Sequence, residues 1–173
     1  AMWWPWGEQF ATCGMIIVDG ALQGRGIGRA LVCDLLEAAG ARTMLLKSTA
    51  AGQRLYEQLG FVAFGRVHQH QATLATPPPD VAGTDEVTEL PHGDAGALVA
   101  IDRAASGMDR SRLLETLRAT GQFVVTGSPG RPSGYACVRR WGRGCVLGPV
   151  IATDERAARA LVASALRHRA GEF

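Results

Sequence analysis

Hydrophobic positions along this chain change period several times, and each change marks an element. From about Gln9 to Val18, ending in the apolar run Met15-Ile16-Ile17-Val18, the pattern predicts a strand entered through a hairpin turn at Gly7-Glu8. The opening Ala1-Met2-Trp3-Trp4-Pro5-Trp6 carries no cap or start signal; residue 1 reads as lying inside a strand, which favours a sequence that begins partway through a larger protein over a shortened gene product. Arg29-Ala30-Leu31-Val32-Cys33-Asp34-Leu35-Leu36 has helical spacing. Thr43-Met44-Leu45-Leu46, extending to about Lys47, predicts a short buried strand, and Ala50 to Leu59 a helix closed by Gly60 as C-cap. A last strand is expected after it, with His68 and His70 on one face by period two.

The segment 75–85, Ala-Thr-Pro-Pro-Pro-Asp-Val-Ala-Gly-Thr-Asp, interrupts this alternation. Three consecutive prolines fit neither a helix interior nor a paired strand, so the segment predicts a stiff linker between residues 1–74 and 86–173. Beyond it, Glu86 to Leu90 alternates as a strand, and Asp94 to Ala105 and Ser111 to Ala119 read as helices, the second closed by Gly121. Phe123-Val124-Val125, Tyr135-Ala136-Cys137-Val138 and Cys145 to Ile151 predict three strands, with a turn at 128–132 between the first two. A helix from Asp154 to about Arg169 ends the chain.

The chemistry concentrates in Gln23-Gly24-Arg25-Gly26-Ile27-Gly28, between the first strand and the first helix. Glycines at alternate positions leave backbone N–H groups uncovered at a helix N-terminus, where the helix dipole favours an anion. Arg25 and Arg29 add positive charge, so the natural guest is a pyrophosphate, and a side chain at Gly26 or Gly28 is expected to fill its space. A dinucleotide fingerprint is excluded because its last glycine falls on Arg29, and a P-loop because no Gly-Lys-Ser/Thr is present.

The spacing Gln-x-x-Gly-x-Gly after a strand ending in valine resembles the acetyl-CoA loop of the GCN5-related N-acetyltransferases (GNAT). Leu55-Tyr56-Glu57-Gln58-Leu59-Gly60-Phe61 resembles a second block of that family. The resemblance implies an α/β fold with a mixed sheet, the acyl-CoA N-acyltransferase fold. Residues 1–74 look like the back half of one such domain, and 86–173, by element order, like the front half of a second, degenerate copy. The second copy lacks the glycine loop: Asp154 and Glu155 stand where a pyrophosphate would bind, and its last strand, Cys145 to Ile151, would have an open edge. That edge leaves a homo-oligomer open.

For function the resemblance implies transfer of an acetyl group from acetyl-CoA, as cosubstrate, to an amine. Backbone groups of Ile16, Ile17 and Val18 would bind the pantetheine arm, and Gln23, Gly24, Arg25, Gly26, Ile27, Gly28 and Arg29 the pyrophosphate. Tyr56 would protonate the leaving thiolate. A small-molecule or peptide amine is the expected acceptor, with no closer identity. Glu8 and His68 are reachable as general base, and Trp3, Trp4 and Trp6 could line an acceptor pocket or pack as core. A CoA-binding regulatory module and an inactive fragment of a larger acetyltransferase remain open beside the enzyme.

Composition narrows the setting. The 173 residues are 47% hydrophobic and 20% charged, an ordinary globular balance. A net charge of +2 gives no case for a nucleic-acid partner. All but one of the 18 basic residues are arginine, which suggests a GC-rich, bacterial genome. Cys13, Cys33, Cys137 and Cys145 form no CxxC pair and are expected as buried free thiols in a reducing cytoplasm. No metal site, membrane partner or membrane span is expected; His68 and His70 without a third ligand make a weak metal signal.

Overall fold

The computed structural model describes residues 1–90, 96–128, 130–167 and 169. The chain divides into two compact units, residues 1–69 and 70–173.

The first unit holds a three-stranded sheet of order β1-β2-β3: β1 (Met2–Trp6), β2 (Phe10–Gly14) and β3 (Thr43–Leu46). The opening residues, assigned no start signal above, form β1 and pair antiparallel with β2 from Met2↔Gly14 to Trp6↔Phe10. Aromatic side chains suit a pleated surface, Pro5 is tolerated on an edge strand, and Gly7 turns the chain at φ 76°. The pair is pinned by the Trp6 indole N–H, which donates to Thr12 Oγ1 at 2.8 Å.

β2 pairs parallel with β3, from Phe10↔Thr43 to Cys13↔Leu46. Parallel neighbours need a crossover, and α1 (Ile27–Ala39) supplies it. Its Val32, Leu35 and Ala39 are buried, as are Ala11 and Cys13 of β2. The expected strand to Val18 stops four residues early. Met15 takes φ 54°, and β3 is too short to continue the ladder, so Ile16, Ile17 and Val18 lie beyond the pairing. The expected strand after Phe61 is also absent. Residues 61–75 are coil with Val62 and Phe64 exposed, so His68 and His70 share no strand face.

In the second unit β4 (Thr88–Glu89), β5 (Gly121–Ser128), β6 (Arg131–Trp141) and β7 (Gly144–Ala152) form an antiparallel sheet in that order. Only two residues of the expected strand 86–90 pair, because Thr84–Glu86 forms a 3-10 turn. α3 (Gly96–Ser106), α4 (Ser111–Thr120) and α5 (Glu155–Arg167) pack on the sheet; positions 94 and 95 of the expected helix lie outside the described residues. The end of the proline-rich stretch is tied to α5 by the pairs Arg167–Asp80 and Arg156–Glu86, each 2.5 Å.

The core of this unit gathers Leu98, Leu114, Leu117, Phe123, Tyr135 and Cys137. Within it lies a buried carboxylate, Asp102, 1% exposed. Arg110 Nε donates to its Oδ2 at 2.9 Å, and the Tyr135 hydroxyl donates to its Oδ1. One polar network thus ties α3, the start of α4 and β6. Gly121 is required by close approach: an added Cβ would lie 2.7 Å from the Cys137 sulfur. Of the thiols expected to be buried, Cys13 and Cys137 are, whereas Cys33 is exposed on α1.

Two stability predictions follow from this core. Asp102→Ala strands Arg110 beside an emptied carboxylate site and should cost about 3–5 kcal/mol, read as a lower urea midpoint. Burial pushes the Cys137 thiol from 9.0 up to about 11. The unfolded chain therefore releases this proton first as pH rises, and stability present below pH 9 falls progressively towards pH 11. The loss is about 2–3 kcal/mol at ~1.4 kcal/mol per pH unit. Burial also raises Tyr135, which adds in the same direction above pH ~10. Urea midpoints between pH 8 and 10 should decline in the wild type and flatten in Cys137→Ala.

Candidate functional site

Where the β2–β3 ladder ends, the chain runs from Met15 to Val18 without regular structure, its backbone groups outside the pairing. Asp19 caps a short 3-10 turn at Gly20–Leu22, its carboxylate accepting from the Ala21 N–H at 2.8 Å. Gln23 folds back, and its side-chain amide donates to the Val18 carbonyl at 3.2 Å. The Gln23 amide thus closes the loop, and the Val18 carbonyl has one acceptor position occupied.

The glycines serve different ends. Gly24 and Gly26 adopt φ 74° and 79°, and an added Cβ at either would meet nothing within 4 Å. They are required by backbone conformation, and their outer side is open. A Cβ on Gly28 would instead lie 3.6 Å from Leu55 Cδ2 and 3.8 Å from Val18 Cγ2. Gly28 faces inward, against Leu55 of α2 (Ala50–Gln58) and Val18, and not towards the open cradle as expected above.

Gly26 is the N-cap of α1 and contributes no side-chain hydrogen bond. The first intrahelical bond runs from the Ala30 N–H to the Gly26 carbonyl at 3.0 Å. The N–H groups of Ile27, Gly28 and Arg29 therefore precede the helical ladder, at the positive end of the helix dipole. Arg25 and Arg29 are exposed beside them. Met15, Ile17, Leu22 and Ile27, all exposed, flank this stretch in sequence. The combination suits an anion that carries an apolar arm better than a bare phosphate.

The corresponding turn of the second unit, from β7 into α5, is built differently. Asp154 Oδ1 accepts from the Ala157 N–H at 2.8 Å, and Glu155 opens the helix. The Asp154 carboxylate thus occupies one N–H of that N-terminus, and its charge repels an anion.

Tyr56 lies in the second turn of α2, whose N-cap Thr49 accepts from the Gly52 N–H at 3.3 Å. The helix ends in a Schellman-type turn: Gly60 takes φ 88°, and the Phe61 N–H donates to the Tyr56 carbonyl at 3.0 Å. The Tyr56 and Phe61 rings meet edge to face at 5.9 Å. Burial, and then the nearby Cys13 thiol, hold the Tyr56 phenol above its usual range. The phenol is thus within electrostatic reach of Cys13, the last β2 residue paired with β3, and the neighbouring Leu55 side chain lies 3.6 Å from where a Cβ on Gly28 would stand.

Glu8 and His68 fall away from this place. Glu8 sits in the turn before β2, at the opposite end of that strand from Cys13. His68 is exposed in coil. Trp6 is engaged with Thr12 and Trp4 is exposed on β1, whereas Trp3 pairs directly with Cys13, with the Arg42 guanidinium 5.9 Å over its ring. Sequence reasoning missed Gly52, an interior helical glycine whose signal was its place four residues before Tyr56. Among the described residues no cluster of three His, Cys, Asp or Glu could hold a metal, and no helix is long and apolar enough to cross a membrane.

Comparison with known proteins gives a consistent result. Two family models, each described as an acetyltransferase (GNAT) domain, match residues 1–63 and 98–173. The uncharacterized N-acetyltransferase YitH of Bacillus subtilis (strain 168) is 28% identical over 157 residues, covering 89% of this chain and 55% of its own. A crystal structure of a Pyrococcus horikoshii protein assigned as an acetyltransferase superposes with a TM-score of 0.70 at 24% identity, over 94% of this chain and 55% of that one. The chain thus spans about half the length of each of these relatives.

Proposed function

The chain belongs to the GNAT acetyltransferases, with two tandem domain matches, and from that premise we propose that its first unit binds acetyl-CoA along residues 16–29 and transfers the acetyl group to an amine. The observation that carries this reading is the uncapped N-terminus of α1 behind Gly24 and Gly26, with Tyr56 near the end of the β2–β3 ladder. The pyrophosphate would take the N–H groups of Ile27, Gly28 and Arg29, with Arg25 and Arg29 balancing its charge. The pantetheine arm would run along Ile16, Ile17 and Val18, pairing with their backbone groups as an added strand does.

A neutral amine would attack the thioester carbonyl, forming the C–N bond as the C–S bond breaks. The amine loses its proton to solvent, and the departing sulfur takes one. Tyr56 is suited to donate towards that sulfur because its raised pKa keeps it protonated throughout the neutral range. A thiol titrates near ~8.5, below a phenol, so much of the benefit comes from the hydrogen bond to developing negative charge. Positioning and electrostatics supply the remainder. The acceptor is a small-molecule or peptide amine, and the second unit, with Asp154 capping α5, holds no cofactor of its own.

Calorimetric titration should give one CoA per chain. Gly26→Asp, which puts a carboxylate into the open cradle, should abolish binding while the far-ultraviolet spectrum is kept. Two CoA per chain, or equal affinity in the folded variant, overturns the assignment. Tyr56→Phe should lower thiol release by about 10- to 10³-fold and leave CoA affinity unchanged. The wild-type rate should fall only above pH ~10, as the phenol ionises, and this limb should vanish in the Phe variant. A Phe variant with the wild-type rate removes Tyr56 as donor.

A further inference from the structure

We propose that Gly52 is a positioning residue for Tyr56: its missing side chain is the notch in which the phenol ring lies, and Phe61 bounds the ring from another side. The inference rests on the reading of Tyr56 as proton donor.

An interior glycine destabilises a helix by about 0.5–1 kcal/mol relative to alanine, and α2 has only nine residues. Nothing in the backbone calls for one at this position. Gly52 is helical, and its N–H bonds to Thr49 would serve any residue. What sets the position apart is the space above it. A Cβ there would lie 3.0 Å from Tyr56 Cε2 and 3.7 Å from Cδ2. Carbon atoms prefer about 3.5–4.0 Å, so the ring and a methyl group cannot both keep their places.

The ring lies there because helical side chains lean towards the N-terminus, over the residue four positions earlier. Phe61 meets it edge to face, and the Schellman-type turn at Gly60 fixes Phe61. Rotation of the phenol is therefore limited by the helix surface at Gly52 and by a ring at Phe61. This fixes the direction in which the hydroxyl points, within electrostatic reach of Cys13. A methyl group at 52 displaces the ring by a few tenths of an ångström or turns it outward, while the helix itself gains from alanine.

The chain has two tyrosines, and Tyr135 is fully buried, so alkaline ultraviolet titration reads Tyr56 first. In Gly52→Ala the Tyr56 midpoint should fall towards the ordinary value near ~10, with the urea midpoint equal or higher. Thiol release should drop about tenfold in kcat, in the range of partial loss of an acid, with KM within twofold. The double variant Gly52→Ala/Tyr56→Phe should be no slower than Tyr56→Phe alone. A wild-type tyrosine titration in Gly52→Ala, or a kcat loss that adds in full to that of Tyr56→Phe, overturns the inference. If Tyr56→Phe itself keeps the wild-type rate, the donor reading fails, and the titration alone decides whether Gly52 sets the ring. Should Gly52→Ala be less stable than the wild type, Phe61→Leu reads the ring from its other neighbour, and an unchanged titration there overturns the inference as well.

Discussion

The first unit depends on a parallel ladder of only four residue pairs, Phe10↔Thr43 to Cys13↔Leu46. A parallel pair forces a crossover helix, and the crossover must leave β2 and return to β3 at its opposite end. The connection from β2 into α1 therefore falls at the carboxyl end of the strands, the usual place for ligands in sheets of this kind. Because β3 stops at Leu46 and Met15 breaks the strand, backbone groups from Met15 to Val18 emerge there without strand partners. The unsatisfied N–H groups of α1 emerge at the same connection. Sheet geometry thus gathers the polar groups that a long, partly apolar anion would need.

The two units treat a helix N-terminus in opposite ways. Before α1 the chain spends glycines at 24 and 26, and no side chain caps the helix. Before α5 it places Asp154, which accepts a backbone N–H in the manner of an ordinary cap and leaves negative charge at the entrance. A capped helix is the more stable alone, and an uncapped one keeps its donors for a guest. The second unit puts its polar groups to structural use instead, in the Asp102–Arg110–Tyr135 network that joins two helices to the sheet.

Much of the site was legible in the residues themselves. The glycine spacing after an apolar run, Gly60 at a helix end, and Asp154 in place of a glycine each have a local cause, carried by backbone conformation or a nearest-neighbour hydrogen bond. So does the order of elements, because period and punctuation are local. The reach of the first strand was not legible. Met15-Ile16-Ile17-Val18 has strand character, yet a strand extends only as far as its partner does, and that depended on where β3 ends. The strand at the opening of the chain and the turn at Gly7-Glu8 were legible, but the pairing register from Met2↔Gly14 to Trp6↔Phe10 was not.

What the sequence by itself determined is therefore most of the elements, the uncovered glycine spacing of residues 23–29 and the acidic residues that replace it at 152–156. Tertiary structure decided which of these groups meet. It turned Gly28 inward against Leu55 and Val18, set the Gln23 amide on the Val18 carbonyl, and separated Glu8 from the site by the length of a strand. It also set the Tyr56 ring against Gly52 and Phe61, with its phenol within electrostatic reach of Cys13. The physical reason is range. Backbone preference and capping act within a few residues, whereas packing and burial depend on segments brought together only when the sheet closes.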